Sequence, residues 1–441
     1  MKIIDTLFDI FAPNAKEPAD VKFGRYSDSY KTDLQHQSLD NATHEYEKNN
    51  YLEAYRHFFT YLRDEREDNV HFEVINNEIH FSLIQGSKRI NGVAGTEKIW
   101  AETAMAKAIA LNVSLMRKLM EINYALRYCR YALHNDVIYL KFNTGILDGS
   151  PQKLYFALKE MAISADRQDD TLLNEFSALE TIDSTHIQQM PDKEKSVKYT
   201  FFRKWAEETL QEVRRLDPNI FSRGISYMLL NLAYKTDYLI VPHGTLMDAI
   251  ERVHILYFNE SEEAPIVEKN AAMIREFEKM LAILPDEFNR QLYRTQTTFG
   301  ITNFATPGQV ADIIYELLQD AKEYKRRKQL AIAHNVVEYI MHYCLFHYGM
   351  PQCIRELLHV GIRVLNGDYF EALGFTPQYF NPNTNTFDKT AIKHHISGIR
   401  KRALKDYPLF DFDVKNLDYR SATDFVYSLL LEIANCNYND R

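Results

Sequence analysis

Two pairs of short segments in the first third of the sequence alternate apolar and polar residues, as strands with one buried face do. The first pair is VHFEVI and EIHFSLI, joined by Asn76 and Asn77, and the second is RYCRYAL and VIYLKFN, joined by Asn135 and Asp136. Because asparagine tolerates the positive φ of a tight type I′ turn, each pair predicts a β-hairpin. The segment KIWAETAMA lies between the pairs and predicts another strand, so this region is expected to form an antiparallel sheet.

Helical patterns surround these strands. Apolar residues recur with helical spacing over residues 43–63 and 114–126, and Ser150 followed by proline is typical of a helix start. The segment QGSKRINGVA is interpreted as a continuation of the second strand, with Gly86 at a β-bulge. The predicted order over residues 43–170 is therefore α-β-β-β-α-β-β-α, an antiparallel five-stranded sheet with three helices that is expected to fold alone.

The rest of the chain predicts an α+β protein with a long helical part. Residues 1–42 are interpreted as a leader with a short amphipathic segment, and residues 171–196 as a polar linker or helical extension. From residue 197 to residue 441 strand patterns largely disappear, which predicts an all-helical domain. A break near residues 285–306 would divide it into two subdomains.

Composition excludes several classes of function. A net charge of −9 argues against a nucleic-acid surface, and no apolar stretch approaches the roughly 20 residues that a membrane span needs. The four cysteines are widely spaced and form no CxxC pair, which indicates reduced thiols and a cytoplasmic location. Nucleotide-binding and serine-hydrolase motifs are missing from the sequence, so we expect a protein that is not an enzyme and has no cofactor.

The predicted order resembles that of class I type III secretion chaperones and of the YbjN family that shares their fold. The resemblance covers about a third of the chain, with the stretches YLRD from Tyr61, QGSK from Gln85, MRKLMEIN from Met116, LYFALKE from Leu154 and ADRQDD from Ala165. Secretion chaperones are small, whereas this chain carries a long helical extension, so it looks like a large variant of the YbjN-like group. The resemblance implies a chaperone-like protein that binds polypeptides and has no catalytic residues.

Helices on one face of such a sheet leave the other face for a partner, which is expected to be another protein or a second copy in a homodimer. Trp100 alternates away from Ile99 and Ala101 and is predicted to lie on that outward face. Two further groups are candidates for partner contact. They are Phe81 and Leu83 in the second strand, and Tyr369, Phe370, Tyr379 and Phe380 in an aromatic segment that would otherwise complete the helical core.

An alternative function rests on three residues spaced four apart. His334, Glu338 and His342 fall on one stripe of a predicted helix, where two imidazoles and a carboxylate would bind a divalent metal. The competing interpretation is a polar stripe between packed helices. The alternative is thus a metalloprotein or enzyme centred on the helical domain, which metal analysis would distinguish from a binding protein.

Overall fold

The computed structural model describes residues 21–24, 30–64, 67–182, 186–259, 264–300 and 302–438. An antiparallel sheet with helices forms the N-terminal part of these residues, and helices form nearly all of the rest, which confirms the predicted α+β class. The amphipathic segment predicted near the start of the leader lies outside the described residues.

The N-terminal part contains seven strands and four α-helices. The strands are β1 Val70–Ile75, β2 Glu78–Gln85, β3 Lys88–Ala94, β4 Lys98–Ala108, β5 Arg130–His134, β6 Val137–Gly145 and β7 Leu179–Thr181. The helices are α1 Asp33–Glu47, α2 Tyr51–Leu62, α3 Val113–Ala125 and α4 Pro151–Glu175. The strands lie in the order β1-β2-β3-β4-β6-β5, β7 pairs with the end of β4, and every pairing is antiparallel.

Both predicted hairpins are confirmed. Asn76 and Asn77 connect β1 to β2 with φ values of 51° and 66°, and Asn135 and Asp136 connect β5 to β6 with φ values of 49° and 62°. Positive φ at both central residues is the signature of a type I′ turn, whose twist matches that of the strands it joins.

The predicted bulge at Gly86 is wrong, and the sheet has seven strands where the sequence predicted five. Gln85 pairs with Lys88, so Gly86 and Ser87 form a tight turn that separates β2 from β3. Gly86 has a φ of +54°, and a Cβ there would overlap the carboxylate of Asp166 in α4. Asp166 accepts a hydrogen bond from the Ser87 amide at 3.0 Å. The other additional strand is β7, which lies beyond the predicted domain.

The single helix predicted over residues 43–63 is also wrong, because α1 and α2 are separate helices. The Thr32 side chain accepts a hydrogen bond from the Gln35 amide, and the Gln35 side chain returns to the Thr32 amide, so a capping box starts α1 ten residues earlier. The chain reverses after α1 at Asn49, whose φ is 63°. Residues 33–42 of α1 were predicted to belong to the leader, but in the structure they are part of a helix that packs in the sheet domain.

The C-terminal half is helical, as predicted. Its helices are α5 Asp192–Arg215, α6 Ser222–Ile240, α7 Gly244–Phe258, α8 Ile266–Leu281, α9 Pro285–Arg290, α10 Pro307–Arg326, α11 Leu330–His347, α12 Gln352–Leu365, α13 Gly367–Leu373, α14 Lys389–Asp406 and α15 Ala422–Asn435. Six two-residue strands form small pairs, namely β8 Gln188–Gln189, β9 Tyr293–Arg294, β10 Asn303–Phe304, β11 Tyr348–Gly349, β12 Phe380–Asn381 and β13 Thr386–Phe387. The short helices α9 and α13 were not predicted, because each spans too few residues to show a periodicity.

The sheet and the helices have separate hydrophobic cores, which one segment of the helical half connects. This connecting segment, residues 295–299, lies within the break predicted near 285–306. Its Phe299 is buried in the core of the sheet domain. The side-chain oxygen of Gln85 accepts hydrogen bonds from the amides of Thr298 and Phe299 at 3.1 and 2.9 Å. The Phe299 side chain in the core of the sheet domain therefore comes from outside residues 43–170, and independent folding of these residues stays a prediction.

Candidate functional site

The two faces of β4 differ in burial in the way the alternation predicts. Ile99, Ala101 and Thr103 are buried on the inner face, whereas Trp100 and Glu102 are half-buried on the outer face. Helices α2 and α4 pack on the inner face, where their side chains share one core with those of the strands. The outer face carries no packed helix in the part of the chain that the structure describes.

Trp100 lies at the centre of this outer face. Val93 of β3 and Asn143 of β6 are its directly opposite neighbours, and Val93 is only 9% exposed although it points away from the core. The next row contains Glu102 and Lys141, whose carboxylate and ammonium groups are 3.0 Å apart. The ammonium group also lies 4.9 Å from the ring centroid of Tyr139.

We call the set of outward side chains around Trp100 the outer-face patch. It consists of His80, Val93, Trp100, Glu102, Ala104, Tyr139 and Lys141. The patch has an apolar and aromatic centre beside a charged pair, which is the composition of many protein–protein contact surfaces. Trp100 was predicted from its alternation in the strand, whereas Val93 and Tyr139 were not, although both follow the same alternation within RINGVA and VIYLKFN.

Phe81 and Leu83 do not belong to this patch, which corrects the prediction that they contact a partner. Both side chains are buried on the inner face of β2. The ring of Phe81 packs against that of Phe59 in α2, with centroids 4.4 Å apart. Residues at alternate positions share one face of a strand, so two apolar residues facing the core cannot also face a partner.

The predicted aromatic recognition surface in the helical half is likewise buried, because Tyr369, Phe370, Tyr379 and Phe380 all belong to the helical core. The Tyr369 hydroxyl donates a hydrogen bond to the Leu239 carbonyl oxygen at 2.7 Å. These four residues therefore stabilise the fold, as the alternative interpretation of the segment proposed.

His334, Glu338 and His342 share one stripe of α11, as their spacing predicts, but each has a partner on another helix. The Glu338 carboxylate accepts hydrogen bonds from the Asn231 and Asn366 side-chain amides, both at 2.8 Å, and forms a 3.0 Å ion pair with Lys235. His342 Nδ1 lies 3.1 Å from the Asn231 side-chain oxygen, and His334 Nδ1 lies 3.0 Å from the Thr423 hydroxyl.

The electrostatics of this cluster are those of a buried ion pair. Burial raises the pKa of Glu338, but the Lys235 ammonium, the two histidines and the hydrogen bond from Asn231 together outweigh that effect and hold the pKa below its ordinary range. Burial lowers the pKa of His342 to about 3, so its imidazole is neutral near pH 7. Among the described residues, no three or more His, Cys, Asp or Glu side chains are grouped to hold a metal ion. The Lys235 ammonium lies next to the Glu338 carboxylate, at the position where the metal hypothesis placed a metal ion.

A cleft of about 1410 Å³ separates the two halves, and local sequence patterns did not predict it. Its walls come from residues 21–24 and 30–38, the connecting segment and helices α5, α6, α12 and α14. Several ion pairs line it, among them Lys22 with Glu67 at 3.4 Å, Arg402 with Glu356 at 2.6 Å and Lys198 with Glu194 at 3.3 Å. The charges of these groups are already paired within the cleft.

His359 is one of four histidines that line the cleft, and it lies beside a tyrosine hydroxyl. His359 Nδ1 lies 2.8 Å from the Tyr238 hydroxyl. Burial lowers the pKa of His359 to about 3, and burial raises the pKa of Tyr238, so both groups are neutral near pH 7. A general acid or base works best with a pKa near the working pH, and this pair lies far from it.

The four cysteines are free thiols, all buried. Burial raises the pKa of Cys344 and of Cys353 to about 12, and it also raises the pKa of Cys129 and Cys436. Because the thiolate is the reactive form, these thiols are poor nucleophiles in the folded protein.

We expect iodoacetamide at neutral pH to leave all four cysteines unmodified in the folded protein and to modify all four in denaturant. Intact-mass spectrometry before and after unfolding checks this expectation. Rapid modification of any cysteine in the folded protein would show that its thiol is accessible and ionised, contrary to the structure.

The chain matches no protein-family model, and no protein with a curated description is significantly similar to it. None of the helices in the described ranges is long and apolar enough to cross a membrane.

Proposed function

We propose that the protein binds extended segments of other polypeptides through the outer-face patch and catalyses no reaction. The observation that carries this proposal is the position of Trp100, half-buried at the centre of a sheet face that no described helix covers. Tryptophan and tyrosine are enriched among the residues that dominate binding energy at protein interfaces. The histidine, cysteine and carboxylate groups described above offer no competing catalytic arrangement.

An extended segment suits this face better than a folded domain of compact shape. In an extended chain every second side chain points the same way, so alternate apolar residues reach Val93, Trp100 and Tyr139 together. The neighbouring edge strand β1 has exposed Val74 and Ile75 near its end. Because β1 is at the edge of the described sheet, an added strand would pair along it and fix register, while apolar burial at about 25 cal/mol per Å² would supply affinity.

Replacing Trp100 with glutamate is expected to weaken peptide binding at least tenfold, because the charge would have to be desolvated against the apolar centre. The measurement is the dissociation constant of peptides selected on the wild-type protein from a library of short random sequences. Lys107→Glu, which reverses an exposed charge at the far end of the same strand, is the control and is expected to bind normally. A folded Trp100→Glu protein that binds these peptides as tightly as the wild type contradicts the proposal.

The kinship with secretion chaperones and the YbjN group also remains a proposal. Helices gathered on one sheet face support it, whereas the additional helix α1 and the turn at Gly86 depart from the α-β-β-β-α-β-β-α order. We also propose a cytoplasmic location. The four free, buried cysteines support it, because thiols stay reduced in reducing compartments.

A further inference from the structure

Helix α3 is apolar on two opposite faces. Leu115 and Leu119 face inwards and are buried in the core of the sheet domain. On the outward side, large apolar side chains recur at intervals of three, four and four residues and are exposed to solvent. They are Val113, Met116, Met120 and Tyr124, of which Met120 is 69% and Tyr124 95% exposed. A surface helix ordinarily presents polar residues outwards, so this stripe indicates a contact surface.

The segment before the helix extends the same surface. Ile109 and Leu111, which connect β4 to α3, are also exposed. Together with the stripe they give six large apolar side chains within sixteen consecutive residues. A stable dimer of ordinary size covers about 800 Å² on each partner around an apolar centre, and six such side chains are enough to form that centre.

We propose that the partner of this stripe is a second copy of the chain, with the two α3 helices packed antiparallel about a two-fold axis. If the axis passes between the two helices at the level of Lys118 and Leu119, Met116 lies near Met120 of the other copy. The same axis places Val113 near Tyr124 of the other copy. Each apolar side chain of the stripe therefore lies opposite an apolar side chain of the same stripe in the other copy. A two-fold contact requires such self-complementarity.

The charges beside the stripe satisfy the same condition. Arg117 and Glu121 are exposed, lie one helical turn apart and flank the stripe on the same side. A two-fold axis perpendicular to the paired helices maps this flank onto the corresponding flank of the other copy. Each Arg117 then faces Glu121 of the second chain, which gives two opposite-charge pairs in place of like-charge contacts. Antiparallel self-pairing thus matches both the apolar and the charged positions.

This self-association goes beyond the proposed polypeptide binding and does not depend on it. Helix α3 belongs to the same core as α2 and α4, on the inner side of the sheet, whereas the outer-face patch lies on the opposite side. Pairing through α3 leaves both patches of the dimer open to solvent.

The test is the mass of the full-length protein in solution, measured by light scattering and by sedimentation over a concentration series. We expect a dimer at micromolar concentration that Met120→Glu converts into a monomer. Arg117→Glu and Glu121→Arg should each weaken the dimer roughly tenfold, because two attractive pairs become two repulsive ones. The double variant R117E/E121R restores opposite charges at both positions and should return to the wild-type dissociation constant.

Restoration by the double variant separates specific pairing from a general loss of structure. A wild-type protein that stays monomeric at micromolar concentration overturns the proposal, as does a double variant no tighter than the two single ones. Trp100→Glu should remain dimeric, so failure of self-association and failure of peptide binding are told apart.

Discussion

Replacing Phe299 with alanine is expected to lower the free energy of unfolding by about 3–5 kcal/mol, the usual cost of removing a buried phenylalanine side chain. Phe299 comes from the helical half, yet its ring is buried in the core of the sheet domain and lies 5.6 Å from the ring of Tyr155 in α4. The substitution leaves a cavity in one domain and weakens the attachment of the other. Equilibrium denaturation followed by circular dichroism measures the effect.

Phe304 provides the matched control. It lies five residues further along the same stretch and is 60% exposed, so Phe304→Ala removes a similar side chain without opening a cavity. We expect a change of less than about 1 kcal/mol, as for surface substitutions generally. Equal costs for the two substitutions would mean that Phe299 does not connect the two cores.

Replacing Lys235 with methionine is expected to cost about 3–5 kcal/mol at neutral pH, because it leaves the Glu338 carboxylate charged and buried without a cation. Lys235 and Glu338 are both buried and form the ion pair at the centre of the helical core. Thermal and denaturant unfolding report the loss. Lys204→Met is the control, since Lys204 pairs with Asp368 at 2.6 Å on the surface, where such pairs contribute about 1 kcal/mol or less.

The pH dependence of this variant has a defined sign. In the wild type the pKa of Glu338 is lowered in the folded state, so its contribution to stability is present above the unfolded pKa and is lost as the pH falls. Without Lys235 the strongest of the lowering effects is lost while burial still raises the pKa, so the folded pKa should move up towards the unfolded value. The difference in stability between the two proteins should therefore shrink as the pH is lowered towards 4. A difference that stays constant from pH 7 to pH 4 would contradict the role assigned to the ion pair.

Local patterns predicted the parts of the fold that neighbouring residues determine. Alternation in KIWAETAMA put Trp100 and Ile99 on opposite faces, and the Asn-Asn and Asn-Asp turns marked both hairpins, because each depends on backbone preferences of a few adjacent residues. The same reasoning missed the turn at Gly86. The hairpin depends on the pairing of Gln85 with Lys88 and on the close approach of Gly86 to Asp166, eighty residues away, and the local pattern shows neither.

The candidate site residues show the same limit. Periodicity placed His334, Glu338 and His342 on one helix face, but it gave no sign that Lys235 from α6 would meet the carboxylate. Aromatic content identified Tyr369 and Phe370 as important without distinguishing a core from a contact surface. Contacts between distant parts of the chain determine both the partner of Glu338 and the burial of Tyr369 and Phe370. A single sequence does not show such contacts.

The connecting segment also constrains the order in which the protein acquires its structure during synthesis. A ribosome releases β1 to β7 long before it releases residues 295–299, because helices α5 to α9 are translated in between. Until then the nascent sheet domain has a vacant position in its core where Phe299 will lie, and the side-chain oxygen of Gln85 lacks its two amide donors. The sheet domain is therefore translated first, but its core is completed late. A chain terminated before residue 295 would leave the ribosome without Phe299 in that core.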